Sequence, residues 1–227
     1  MIQVNRGRKS VTANIPAPIG GWNARDSLAE MLPTEAVAIN NWWPTTVDLE
    51  ERKGFVNWAT GMTGTVETII PYNGVTGVDR LFAFTSTGNI HDVTSPNVVG
   101  AALVTGLSNG RWQHVAFATP GGNFILACNG VDNMRRYDGT SWTDIGASIT
   151  GVASTTIISL NAFKGRVWMV QKDTLNMWYL PTLAIAGAAT LFPLGSVFQM
   201  GGFLRTMATW TVDAGTGADD NAVFITD

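Results

Sequence analysis

The chain has 227 residues, enough for one large all-β domain or two small ones, either able to bury a core. Charged residues make up 14%, against the ~25% usual in soluble domains, a shortfall of surface charge expected where partner subunits cover a surface. The formal net charge of −3 argues against a protein that grips nucleic-acid phosphates. One cysteine, Cys128, and two histidines, His91 and His114, exclude an internal disulfide framework and Cys-based zinc, and leave little for histidine metal chemistry.

In chain order, Met1 to Ser10 carries Arg6, Arg8 and Lys9 with no apolar run after it, so it does not read as a secretory signal, and a start in the cytoplasm is expected. Residues 1–19 are basic and then Pro-punctuated at Ile15-Pro16-Ala17-Pro18-Ile19, which predicts an extended arm that leaves the body and packs on another subunit or another protein. Residues 20–60 form the next region. It opens on Gly20-Gly21-Trp22-Asn23-Ala24-Arg25-Asp26. The glycines let the backbone turn where a Cβ would clash, Asn23 and Asp26 suit bonds to nearby amides, and Arg25 suits a pair with Asp26 or a neighbour's carboxylate. A short helical stretch is predicted from Ser27 to Met31, ending at Pro33, and a second helical turn from Thr34 to Asn40, capped by Thr34. Asn41-Trp42-Trp43-Pro44 and a charged strand ending at Lys53-Gly54-Phe55 follow. Trp22, Trp42 and Trp43 suit either the chain's own core or an intersubunit contact.

From residue 61 to 227 the chain reads as short strands separated by Gly, Asn and Asp turns. Arg80 to Phe84, Asn123 to Ala127 and Arg166 to Val170 align at 43-residue spacing, each preceded by one strand-like run (Val66 to Ile70, Gln113 to Ala118, Ile157 to Phe163) and followed by another (Ile90 to Val93, Met134 to Tyr137, Met177 to Leu180). A three-strand meander with a variable outer segment such as Ser141 to Ile145, recurring at this period, predicts an all-β fold of β-propeller type with three recognisable blades; an irregular β-sandwich is the alternative. A fourth unit looks incomplete: Phe203 to Val212 is its first strand, Asp213 to Asp220 a loop, and Ala222 to Ile225 its central strand. Such an ending predicts a truncated chain or completion by another segment; the run Asp48 to Lys53 looks too charged to serve as a central strand.

The order GGWNARD, MLPTEA, NNWWP and RKGF, covering Pro18 to Phe55, resembles the opening of a family of tailed-bacteriophage virion proteins with β-propeller bodies, among them the tail tube or nozzle proteins of short-tailed phages. Asp219 to Thr226 also looks like a family segment. The resemblance implies a virion structural protein, Gly20, Gly21, Trp22, Asn23, Arg25, Asp26, Asn41, Trp42, Trp43 and Pro44 as motif and interface candidates, and further blades after the fourth unit.

The chemistry of catalysis is thin. Acid pairs such as Asp48 with Glu50 read as solvated caps, and no Gly-x-Ser-x-Gly elbow, P-loop or Rossmann glycine set is present. His114, in a strand, reads as a core residue; His91 beside Asp92 suits an oriented base, but no nucleophile accompanies it. The Asp213 to Asp220 loop reads as mobile, with calcium the alternative. No catalytic residue, metal, cofactor or membrane anchor is expected. Two functions remain: a ring subunit of a phage tail, touching identical subunits and neighbouring tail or head-tail adaptor proteins and contacting DNA only weakly, or a propeller that binds a host-surface glycan or receptor. The clusters Arg6/Arg8/Lys9, Arg52/Lys53 and Arg135/Arg136 hold half of the 14 cations, and adjacent residues on one strand cannot both face a channel.

Overall fold

The computed structural model describes residues 12, 14–74, 78–198, 200–213 and 218–227; the expected arm therefore lies largely outside the described residues, Arg6, Arg8 and Lys9 included, as do 214–217 of the expected calcium or mobile loop. The described chain is all-β, apart from two single-turn 3-10 helices at Gly146–Ser148 and Ser154–Thr156. Its contacts divide it after Val56 into two units. Among the described residues no helix is long and apolar enough to cross a membrane.

The first unit holds two small sheets. Strands β1 (Gly21–Trp22) and β2 (Glu35–Ala36) pair in parallel, and β3 (Trp42–Pro44) pairs antiparallel with β4 (Leu49–Glu51). Neither expected helical stretch forms. Ser27 O accepts from the amides of Glu30 (2.9 Å) and Met31 (3.1 Å), which closes one turn and no more. Pro33, which lacks an N–H and disfavours the helical region at Leu32, stops growth before the cost of nucleation is recovered. Thr34 O and Ala36 O accept instead from the amides of Gly20 (2.7 Å) and Asn23 (3.0 Å), which draws residues 34–36 into a strand. The charged strand is shorter than expected, and its partner is β3.

In the second unit, β5 (Ala59–Thr60) precedes β6 (Val66–Tyr72), β7 (Arg80–Thr85) and β8 (Ile90–Asp92), which form the first antiparallel meander; β9 (Asn97–Val98) returns to pair with β5. The second sheet is β10 (Gln113–Thr119), β11 (Gly122–Cys128), β12 (Arg135–Tyr137) and β13 (Trp142–Asp144), in that order. After β14 (Ile149–Thr150), the third sheet comprises β15 (Ile157–Phe163), β16 (Arg166–Gln171), β17 (Asn176–Tyr179) and, beyond β18 (Gly187–Ala188), β19 (Thr190–Pro193). A fourth sheet is the hairpin of β20 (Leu204–Asp213) and β21 (Ala218–Thr226), so Asp213 and residues 218–220 belong to strands. Turn chemistry sets these boundaries. Lys164 (φ 46°) and Gly165 (φ 68°) make the two-residue turn between β15 and β16, both left-handed as the primed hairpin turns require. Gly88 (φ 76°) turns β7 into β8 where a Cβ would clash with Leu107 O.

The central strands β7, β11 and β16 lie in three different sheets, and side chains alternate between the cores on either side. Phe82 and Phe84 of the first sheet meet Ile125, Ala127, Tyr137 and Trp142 of the second. From the same β11, Leu126 and Cys128 point the other way and meet Ile157, Val167 and Met169 of the third sheet. Val170 and Met177 then join Leu204 and Met207 of the fourth. This stacking corrects the repeat. The 43-residue alignment sets Phe82 on Ile125, yet the two face each other across one core, so equivalent faces recur through Phe82, Leu126 and Val170 at 44 residues. A one-residue slip in a strand reverses every side chain.

Candidate functional site

The motif residues of the first unit gather around one tight polar turn. Gly20 carries no Cβ because one would lie 2.9 Å from Thr34 O, and Gly21 holds φ 85°. Asn23 Oδ1 accepts from the amides of Arg25 (3.0 Å) and Asp26 (3.1 Å), while its Nδ2 donates to Asp26 Oδ2 (2.9 Å) and Glu35 Oε2 (2.8 Å). Arg25 grips Asp26 through Nε (2.8 Å) and Nη2 (3.2 Å), and these bonds, with that from Asn23, hold the Asp26 carboxyl below the usual carboxylate range. Asp26 thus bonds side chains rather than amides. Glu35 also accepts from the Leu32 amide (3.0 Å), so this carboxylate joins the two ends of the loop.

That scaffold presents an aromatic groove of about 330 Å³ lined by Trp22, Ile39, Trp42, Trp43 and Pro44. The tryptophans are 69%, 49% and 70% exposed, which settles their placement: none is buried in the core of its own chain. The Trp22 indole N–H donates to Val37 O (3.0 Å), fixing the ring. Asn41 (φ 62°) turns the chain into β3, and its carbonyl accepts from Arg52 N (2.7 Å) beyond β4. At the hairpin tip Thr45 Oγ1 accepts from the Asp48 amide (3.0 Å) and bonds the Asp48 carboxylate. Glu50 and Glu51, cross-strand from Trp43 and Trp42, are exposed. Sequence reasoning missed Ile39 and Glu35, both within the segment expected to be helical. The signal for Glu35 was its chemistry, a lone carboxylate twelve residues from an Asn in an Asx-turn motif.

In the second unit, neither histidine sits as expected. His114 is exposed on β10 and lines a groove of about 300 Å³ with Tyr72, Phe117 and Asn123, whose walls desolvate the imidazole and lower its pKa. His91 is 93% buried, and both its ring nitrogens lack a hydrogen-bond partner. It does not act with Asp92. By register His91 shares the face of Ala83, and Asp92 shares that of Phe82. Against the desolvation that burial imposes, bonds from the Thr94 hydroxyl and amide and the charge of Arg80 (3.0 Å) hold Asp92 below its ordinary pKa. Arg135 and Arg136 face opposite sides of the second sheet and lie near Asp144 (3.9 Å) and Asp138 (3.3 Å). Among the described residues no three His, Cys, Asp or Glu side chains gather as a metal ion would need. Comparison with protein-family models, curated proteins and solved structures yields no match.

Proposed function

We propose that this chain is a structural subunit of a bacteriophage tail, of the tube or nozzle kind of short-tailed phages, that assembles into a ring of identical subunits and meets neighbouring tail or head-tail adaptor proteins. The observation that carries the reading is the exposure of Trp22, Trp42 and Trp43 around one groove. Large rigid aromatic faces left in water are the residues that anchor protein interfaces. In this reading the sheets of the second unit are successive blades of a radial propeller, which their separate meanders and alternating cores support. The protein does structural work, not catalysis, in a virion tail assembled in the host cytoplasm.

A passive conduit must not hold DNA tightly, because each phosphate neutralised adds counterion release and slows sliding. Arg80, Arg111, Arg135, Arg136 and Arg205 each have a carboxylate within ion-pair distance, which leaves these guanidiniums partly neutralised. The second reading, glycan or receptor binding, draws on the same flat indole faces. It ranks lower because the groove lining has no side-chain acceptor for sugar hydroxyls: Ile39 and Pro44 have no polar side-chain group, the Trp22 N–H is taken, and only the Trp42 and Trp43 N–H donors remain. Sedimentation velocity and negative-stain microscopy of the purified chain test the proposal. Closed rings of one size are expected; a monomer at tens of micromolar that binds host-surface glycan would replace it with the second reading.

A further inference from the structure

Exposed carboxylates stand beside two of the tryptophans that line the aromatic groove. Glu50 stands cross-strand from Trp43 and Glu51 from Trp42, on opposite faces of the β3–β4 ladder, and neither exposed carboxylate has a hydrogen bond or ion pair among the described residues. The Trp42 and Trp43 indole N–H groups, likewise, have no acceptor there. A ligand matched to this surface offers apolar rings or branches, free backbone carbonyls and positive charge.

The chain itself carries such a segment. Ile15, Pro16 and Ala17 are exposed and outside regular structure, with Ile15 87% exposed. Pro16 and Pro18 fix their own φ and push Ile15 and Ala17 toward extended geometry, which favours a polyproline II strand. That conformation has no internal hydrogen bonds and is the form in which Pro-bearing segments enter aromatic-lined grooves; here the Ile15 and Pro16 carbonyls stay free, while those of Ala17 and Pro18 accept from the Ile19 and Gly21 amides. No carboxylate precedes Asp26 in the sequence, whereas Arg6, Arg8 and Lys9 precede Ile15. The segment does not occupy its own groove. Bonds from Ile19 N to Ala17 O (2.8 Å), Gly20 N to Thr34 O (2.7 Å) and Gly21 N to Pro18 O (3.1 Å) fix its departure, and it cannot reverse onto Trp22 without breaking them.

We infer that the groove of Trp22, Ile39, Trp42, Trp43 and Pro44 receives the Ile15 to Ala17 segment of a second copy of this chain as a polyproline II strand, with the basic residues ahead of it drawn to Glu50 beside Trp43. The occupant rests on the self-assembly reading above; the match of groove and segment does not. Exchange of this segment links copies without any rearrangement of the second unit.

A fluorescein-labelled peptide of residues 1–19, titrated with the full chain and followed by anisotropy, tests it. Saturable binding is expected, weakened at least tenfold by Trp43→Ala and by replacing both prolines of the peptide with glycine, and several-fold by Glu50→Lys or by raising salt from 50 to 500 mM. Trp43 is 70% exposed, so its loss leaves folding intact, which an unchanged thermal melt verifies. Absence of saturable binding, or binding indifferent to both Trp43→Ala and the proline replacements, overturns the inference. If rings still form in that case, the assembly reading survives; if the peptide binds but no ring forms, segment docking stands and the ring does not.

Discussion

The two units set most of their tryptophans differently, although Trp58 and Trp210 of the second are exposed as well (55% and 64%). In the second, Trp112 and Trp142 are buried against Phe82, Phe84 and Tyr137, with Phe82 and Trp142 ring centroids 5.2 Å apart. In the first, Trp22, Trp42 and Trp43 stay largely in water. The difference lies in how many sheets can cover a face. Stacked meanders bury both sides of their central strands, whereas two-stranded pieces of two or three residues have too little area to bury either side. The first unit is held together by polar side chains, with Asn23, Glu35 and Thr45 bonding backbone amides. A small frame of this kind fixes large aromatics without consuming them, and leaves them to a partner.

The sharpest way to break this comparison is truncation on each side of it. Phe82 is fully buried, so Phe82→Ala should cost about 3–5 kcal/mol through lost transfer and a residual cavity. Trp43→Ala should stay within about 0.5 kcal/mol, as exposed substitutions do. Urea denaturation measures both, and equal losses would mean that the tryptophans of the first unit also serve its stability. Next in size, Gly88→Ala places a Cβ on the Leu107 carbonyl at a left-handed φ and should cost more than about 2 kcal/mol, whereas Gly54→Ala, with open space around it, should cost little.

Acid sharpens the comparison further. Asp92, Asp132 and Asp138 of the second unit are all held below their ordinary pKa by hydrogen bonds that outweigh the desolvation of burial: Thr94 for Asp92, Ser108 and Asn129 for Asp132, and the Ser141 and Thr140 amides for Asp138. A depressed carboxylate contributes stability that is present above its unfolded pKa of about 3.9 and is lost as pH falls through the folded value. Thermal melts should therefore be flat from pH 7 to about 5 and decline steeply below about 4, and Asp92→Asn should flatten part of that decline. The smallest expected effect is none at all: duplex DNA should show no salt-sensitive binding near physiological ionic strength. Micromolar affinity that collapses with added salt would mean that the paired arginines of the second unit are available to phosphates after all.

Much of the second unit was legible in the chain. Expected and observed strands agree closely, with Ile157–Phe163 matching at both ends, because alternating apolar residues and glycine turns are local signals that survive without tertiary context. The first unit was harder to read. Thr34 to Asn40 has a helix-like composition, but its carbonyls are taken by Gly20 and Asn23, residues more than ten positions away. The groove was half legible: Trp22, Trp42, Trp43 and Pro44 stood out as candidates, and Ile39 did not. His114 was expected in the core and is exposed, since a strand residue's type says little about whether another sheet covers it.

What the sequence by itself determined is the succession of short strands and turns, because φ-demanding glycines and two-residue alternation act within a few bonds of where they are written. Only the tertiary structure decided which way each strand faces and which aromatics are covered. Facing depends on register to a single residue, as the shift of the repeat from 43 to 44 shows, and coverage depends on a neighbouring sheet arriving from a distant part of the chain, as it does over Phe82 and does not over Trp43.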